Sequence, residues 1–129
     1  IDKNNFTPVI EAMHEVFKSG TGKFSRVKGI EICGKTGTAE NFIISDGVKE
    51  QLEDHSILVA FAPKKNPKIA LAVFVENGGY GSTIAAPISS LLIEKYIMGT
   101  ISKDNKYREL SMLEKNLDHI YDKQIQKKR

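Results

Sequence analysis

The residues best equipped for chemistry in this 129-residue chain cluster around one lysine. Gly29-Ile30-Glu31-Ile32-Cys33-Gly34-Lys35-Thr36 satisfies the G-x-x-x-x-G-K-T spacing of a phosphate-cradling loop. Such a loop works only when a strand precedes the first glycine and a helix begins at the Lys-Thr, so that backbone N–H groups face the phosphates. Here Ile30-Glu31-Ile32-Cys33 alternates like a strand inside the interval, and Gly37-Thr38-Ala39-Glu40-Asn41 is poor helix material. The context is inverted, and a nucleotide site is not expected. Read as part of a strand, Lys35-Thr36-Gly37-Thr38 has a different logic. Alternation puts the hydroxyls of Thr36 and Thr38 on one side, where both can donate to a single carboxylate. Gly37 removes bulk so that a ligand can lie against the strand, and Lys35 supplies countercharge. A free N–H on an edge strand can also stabilise a developing oxyanion, a donor worth about 3–4 kcal/mol in acyl transfer. Taken alone, the same four residues also describe a polar strand end with a bulge.

The elements that must position this strand are legible around it. Thr7-Pro8 followed by Val9, Ile10, Met13, Val16 and Phe17 predicts a helix with a capping hydroxyl and proline at its first position, stopped by Ser19-Gly20-Thr21-Gly22. A strand is expected from about 29 to 39, with Gly34 and Gly37 marking close approach of another group. Residues 40–55 are mostly polar around Ser45-Asp46-Gly47 and read as a loop. The apolar runs 56–62 and 69–75, joined by Pro63-Lys64-Lys65-Asn66-Pro67-Lys68, predict an antiparallel hairpin with both faces covered. Glu76-Asn77-Gly78-Gly79-Tyr80-Gly81-Ser82 turns into a helix over 85–98 that stops at Gly99. Leu110, Leu113, Leu117, Ile120, Tyr121 and Ile125 then predict one long amphipathic helix, docked on its own domain. The fold class is therefore α+β, a three-stranded antiparallel sheet packed with helices, with residues 1–99 as body and 100–129 as helical tail.

Several of these strings occur together in a known order. Gly34-Lys35-Thr36-Gly37-Thr38-Ala39-Glu40, Asp54-His55-Ser56 running into Ala60-Phe61-Ala62-Pro63, Val75-Glu76-Asn77-Gly78-Gly79 and Ala85-Ala86-Pro87 resemble the C-terminal part of a penicillin-binding protein transpeptidase domain. The likeness is to the class B, elongation type, and spans about residues 5–98. It implies a serine β-lactamase/transpeptidase fold with no cofactor, facing the periplasm from the bacterial inner membrane through an upstream anchor. It implies that Lys35 sits beside the active serine as a catalytic residue and attracts the terminal carboxylate of a D-alanyl-D-alanine stem peptide. Thr36, Gly37 and Thr38 would bind that substrate, and the Thr38 N–H would form half of an oxyanion hole. The implied reaction is double displacement through a serine acyl-enzyme, which β-lactams imitate and stall. A glycan-polymerising membrane glycosyltransferase is the implied partner.

The nucleophile is missing from the recognisable motifs. Ser25-Arg26-Val27-Lys28 is the only S-x-x-K string, ten residues before Lys35 in a polar stretch, and no S-x-N string exists. The chain is therefore expected to be the C-terminal piece of a D,D-transpeptidase and inert alone. A β-lactamase or D,D-carboxypeptidase piece, or a non-catalytic module of the same fold, is the alternative. Unpaired sheet edges make a dimer of the piece an expectation as well.

Composition agrees with this. Residues 1–99 carry eleven basic and eleven acidic side chains, so the net +3 belongs to the tail, and no concentrated basic face suggests nucleic acid. Cys33 is the lone cysteine and reads as a packed residue, excluding an internal disulfide. His14, His55 and His119 lack metal-ligand spacing, so no metal is expected.

Overall fold

The computed structural model describes residues 1–118 and 120. Helix α1 spans Phe6–Lys18 and turns Ile10, Met13, His14 and Phe17 inward, the three-to-four spacing of one helical face. Its start differs from the expectation at Thr7. A 3-10 turn, Lys3–Asn5, runs straight into the helix, and Asp2 caps that turn by accepting the Asn4 N–H at 2.8 Å. Pro8 still falls in the first helical turn, where its missing N–H has no intrahelical partner to lose.

Strand β1 is Cys33–Ala39, shorter than expected because Gly29 turns with φ +82 and Val27 bridges to Ile30. Residues 40–55 are not a plain loop. They hold β2, Phe42–Ser45, and β3, Val48–Gln51, paired across Asp46 and Gly47. Both turn residues have positive φ, 50 and 77, the geometry of a two-residue I′ turn for which Asp-Gly is suited. The hairpin predicted downstream is present as β4, His55–Ala62, and β5, Ile69–Val75. The main sheet is antiparallel in the order β1-β4-β5.

Register divides this sheet into two unlike faces. Gly34, Thr36 and Thr38 share a face with Ser56, Leu58, Ala60 and Ala62 and with Ile69, Leu71, Val73 and Val75. The core lies on this side, where Phe17 of α1 and Ala85, Ala86 and Ile93 of α2 (Ala85–Met98) pack on Leu58 and Ala60. Gly34 is the expected close approach: a Cβ there would stand 2.9 Å from the Phe17 ring. The opposite face carries no helix among the described residues, contrary to the expectation of two covered faces, and leaves Val59 45% and Phe74 56% exposed, although Cys33 at its end is fully buried. Helix α2 ends at Gly99 in the left-handed region, as the sequence indicates.

The tail docks on α2, but through polar bonds. Buried Glu94 accepts the Ser102 N–H at 3.2 Å and the Asn105 amide at 2.9 Å. Buried Arg108 donates to Ser90 Oγ at 3.1 Å and to the Phe24 and Arg26 carbonyls at 2.8 and 3.3 Å. In place of one long helix, α3 covers Lys106–Leu113 and gives way to non-helical residues 115–117. Leu110 and Leu113 of the apolar stripe face solvent, since the pairing of Arg108 and Asn105 with α2 decides which side of α3 turns inward. Tyr121, Ile125 and His119 lie outside the described residues.

Candidate active-site strand

Among the described residues, strand β1 pairs only with β4, so its second backbone edge is open there. Which groups face that edge follows from the ladder. The Ala62 carbonyl accepts Lys68 N–H on the β5 side at 2.8 Å, so even-numbered β4 residues direct their backbone groups toward β5 and odd-numbered ones toward β1. Gly37 opposite Ile57 is thus a hydrogen-bonded pair, while Thr36 and Thr38 direct N–H and C=O to the open edge. Lys35 reaches the same edge: its Nζ donates to the Thr36 carbonyl at 2.6 Å.

The Thr36 and Thr38 hydroxyls lie on one side, as alternation requires, and Lys35 leaves from the other. Thr36 Oγ1 meets Thr21 Oγ1 at 2.8 Å, so a third hydroxyl from the loop after α1 stands beside the pair. Thr38 Oγ1 accepts the Gly81 N–H at 3.5 Å. Gly81 comes so close that a Cβ would stand 2.4 Å from the Gly37 and Ile57 carbonyls, which makes glycine obligatory there. Neither Thr21 nor Gly81 is marked by local sequence pattern as part of the site.

A polar cluster fixes the far end of β1. Buried Asn77 accepts from the Asn41 amide at 2.8 Å through its side chain, and its own N–H donates to His55 Nδ1 at 3.1 Å. Asp54 Oδ1 accepts from Gln51 at 3.0 Å and from the Asn41 N–H at 3.4 Å. The root of the β2–β3 hairpin is thereby tied to the end of β1. Beside it opens a groove of about 970 Å³ lined by Glu53, Tyr80, Tyr107, Ser111 and Glu114 among others.

The other candidates take structural places. Ser25 is buried at the end of a 3-10 turn, and Arg26 is extended, so Ser25 and Lys28 do not share a helical face as a serine and lysine one turn apart would. Cys33 is fully buried, and burial raises its thiol above the usual value, which disfavours the reactive thiolate. His14 points its ring at the Ile32 carbonyl, 3.3 Å away, with Glu31 at 3.7 Å.

Residues 1–94 match the family model described as the penicillin binding protein transpeptidase domain. The chain belongs to this family. Similar proteins include the peptidoglycan D,D-transpeptidase MrdA of Acinetobacter baumannii, 43% identical over 82 residues, and that of Haemophilus influenzae, 33% identical over 97. These alignments cover 58% and 69% of this chain and 12% and 15% of the relatives' lengths. Among solved structures, penicillin-binding protein 2 of Pseudomonas aeruginosa in complex with WCK 5153 aligns with TM-score 0.59 at 30% identity. It is matched by 80% of this chain over 22% of its own length. Penicillin-binding protein A of Mycobacterium tuberculosis, solved as an imipenem acyl-enzyme, gives TM-score 0.60 at 33% identity, covering 75% and 20%. The antiparallel sheet with packed helices is thus the C-terminal part of a class B transpeptidase fold.

Proposed function

We propose that this chain forms one wall of the catalytic cleft of a peptidoglycan D,D-transpeptidase of the elongation type, whose remainder supplies the nucleophilic serine. The observation that carries this reading is the open edge of β1, with the Thr36 and Thr38 hydroxyls on one side and the Thr38 N–H directed outward. In the proposed cleft those hydroxyls bind the terminal carboxylate of a D-alanyl-D-alanine stem peptide, Gly37 lets the peptide lie flat, and Lys35 contributes positive charge beside the serine. The serine adds to the penultimate D-alanine carbonyl, its proton passing to a neighbouring base, and the Thr38 N–H is one donor to the oxyanion. D-alanine leaves with a proton, and an amine of a second strand resolves the ester. β-Lactams enter the same route and remain as stable acyl-enzymes.

The full-length protein, in this reading, is held at the inner membrane by a segment outside this chain, faces the periplasm and works beside a glycan-polymerising glycosyltransferase. The chain alone is inert and pairs through its bare sheet edge or its apolar outer face. Fluorescent penicillin tests the first point. The intact parent should acquire a covalent label that the isolated chain does not. A stable label on the isolated chain would contradict the assignment of the nucleophile to the remainder.

A further inference from the structure

Asp54-His55-Ser56 opens β4, and each of its residues holds a different point of the turn from β5 to α2. The Asp54 carbonyl accepts the Gly79 N–H at 2.8 Å. His55 Nδ1 accepts the Asn77 N–H at 3.1 Å. Because a backbone amide can only donate, the imidazole presents a lone pair at Nδ1 and carries its proton on Nε2. Ser56 is fully buried; its hydroxyl donates to the Tyr80 carbonyl at 2.9 Å and accepts the Ala85 N–H at 3.1 Å. It therefore bridges the two ends of the segment that carries Gly81. The segment has no slack, since a Cβ on Gly78 would stand 2.8 Å from Ser56 Cβ. What the turn delivers to the active strand is the Gly81 N–H on Thr38 Oγ1, and Thr38 lies directly opposite Ser56 in the ladder.

We infer that Asp54-His55-Ser56 is a positioning element for Thr38, with His55 Nδ1 as its most specific contact. The inference rests on the proposed role of Thr38 in binding the carboxylate of an acyl donor. With the Gly81 N–H on the Thr38 oxygen, the hydroxyl hydrogen is left to point toward the open side, where a carboxylate accepts it. The imidazole acts on this geometry at a distance, by fixing where the turn begins.

Two substitutions separate the acceptor from the ring. His55→Phe keeps an aromatic ring against Phe74, whose centroid lies 5.2 Å from that of the imidazole, and removes the acceptor. His55→Asn offers an amide oxygen near the position of Nδ1 and removes the ring. In the intact parent, the second-order rate constant for acylation by fluorescent penicillin should fall at least fivefold in His55→Phe and stay within about twofold of wild type in His55→Asn. Combined with Thr38→Val, His55→Phe should add no further loss. Should His55→Phe not fold, Ser56→Ala must show the same dependence on Thr38. Wild-type acylation by His55→Phe, or an equal loss in the presence and absence of the Thr38 hydroxyl, would overturn the inference while leaving the role of Thr38 intact. Normal acylation by Thr38→Val alone would overturn that role and the inference with it.

Discussion

In the proposed site Thr36 and Thr38 each already meet a neighbour, Thr36 the Thr21 hydroxyl and Thr38 the Gly81 N–H. With Thr21 donating to Thr36 and Gly81 to Thr38, both threonine hydroxyl hydrogens are left for a carboxylate and are pre-oriented, which lowers the ordering cost on binding. A hydrogen bond from such a hydroxyl to a carboxylate contributes about 1.5–3 kcal/mol. Thr36→Val in the parent should therefore slow acylation by β-lactams about tenfold or more, read from the rate of covalent labelling, with little change in melting temperature. An unchanged rate would remove Thr36 from the proposed site. The placement of Thr36 and Thr38 on one side of β1 and of Lys35 on the other is legible from strand alternation. The contacts of Thr21, His55 and Gly81 are not, because they join residues 15, 22 and 43 positions apart, and nothing in local spacing encodes such distances, although Asp54-His55-Ser56 is one of the strings that carry the family resemblance.

Among the elements, α2 and the β4–β5 hairpin were the most readable, since apolar runs of the right length end at Gly99 and at a polar joint rich in proline. The β2–β3 hairpin escaped because Phe42-Ile43-Ile44 does not alternate and Val48, Phe42 and Ile44 lie largely in solvent, so no buried face announces itself. The tail was misread for a related reason. An apolar stripe predicts burial, yet Glu94 and Arg108 set the docking. Two adjacent serines on α2 test this account. Ser90 receives the Arg108 guanidinium, whereas Ser89 Oγ is buried with no hydrogen-bond partner among the described residues. Ser90→Ala should destabilise the domain by about 1–3 kcal/mol, and Ser89→Ala should be neutral or slightly stabilising, both measured by urea unfolding. Equal losses at the two sites would contradict the polar docking of the tail.

A second element-level contact responds to pH. Lys64, in the joint between β4 and β5, donates to Glu11 of α1 at 2.6 Å, and this hydrogen bond holds the Glu11 carboxyl below its ordinary value of 4.5. A carboxyl lowered on folding contributes stability above its unfolded value and loses it as pH falls through the lowered native one. Glu11→Gln should therefore flatten the loss of stability below about pH 4.5, compared by unfolding at pH 3 to 7. An identical acid limb in the variant would show that the pair contributes nothing.

At the scale of the whole molecule, the two faces of the main sheet tell different stories. One is filled by α1 and α2 around Leu58 and Ile93, and Leu58→Ala should cost about 2–5 kcal/mol there. The other presents Val59 and Phe74 exposed and Ile57 and Phe61 half-buried, with no described helix against it, and the chain spans only 12–22% of the relatives and structures with which it was compared. An apolar face and an open strand edge on one module support the proposal that this chain is one wall of a larger cleft. The continuous apolar runs in β4 and β5 predict two covered faces, and among the described residues only one is packed by helices.

In the proposed function, β1 is the substrate-binding wall of a transpeptidase cleft, with Lys35 at its catalytic end. This claim is tested most directly by acylation of the intact parent with fluorescent penicillin, comparing wild type with Lys35→Ala at matched melting temperatures. The structure predicts that Lys35→Ala folds normally, since the Lys35 side chain is exposed, and that labelling is lost. Labelling of Lys35→Ala at the wild-type rate would contradict the claim.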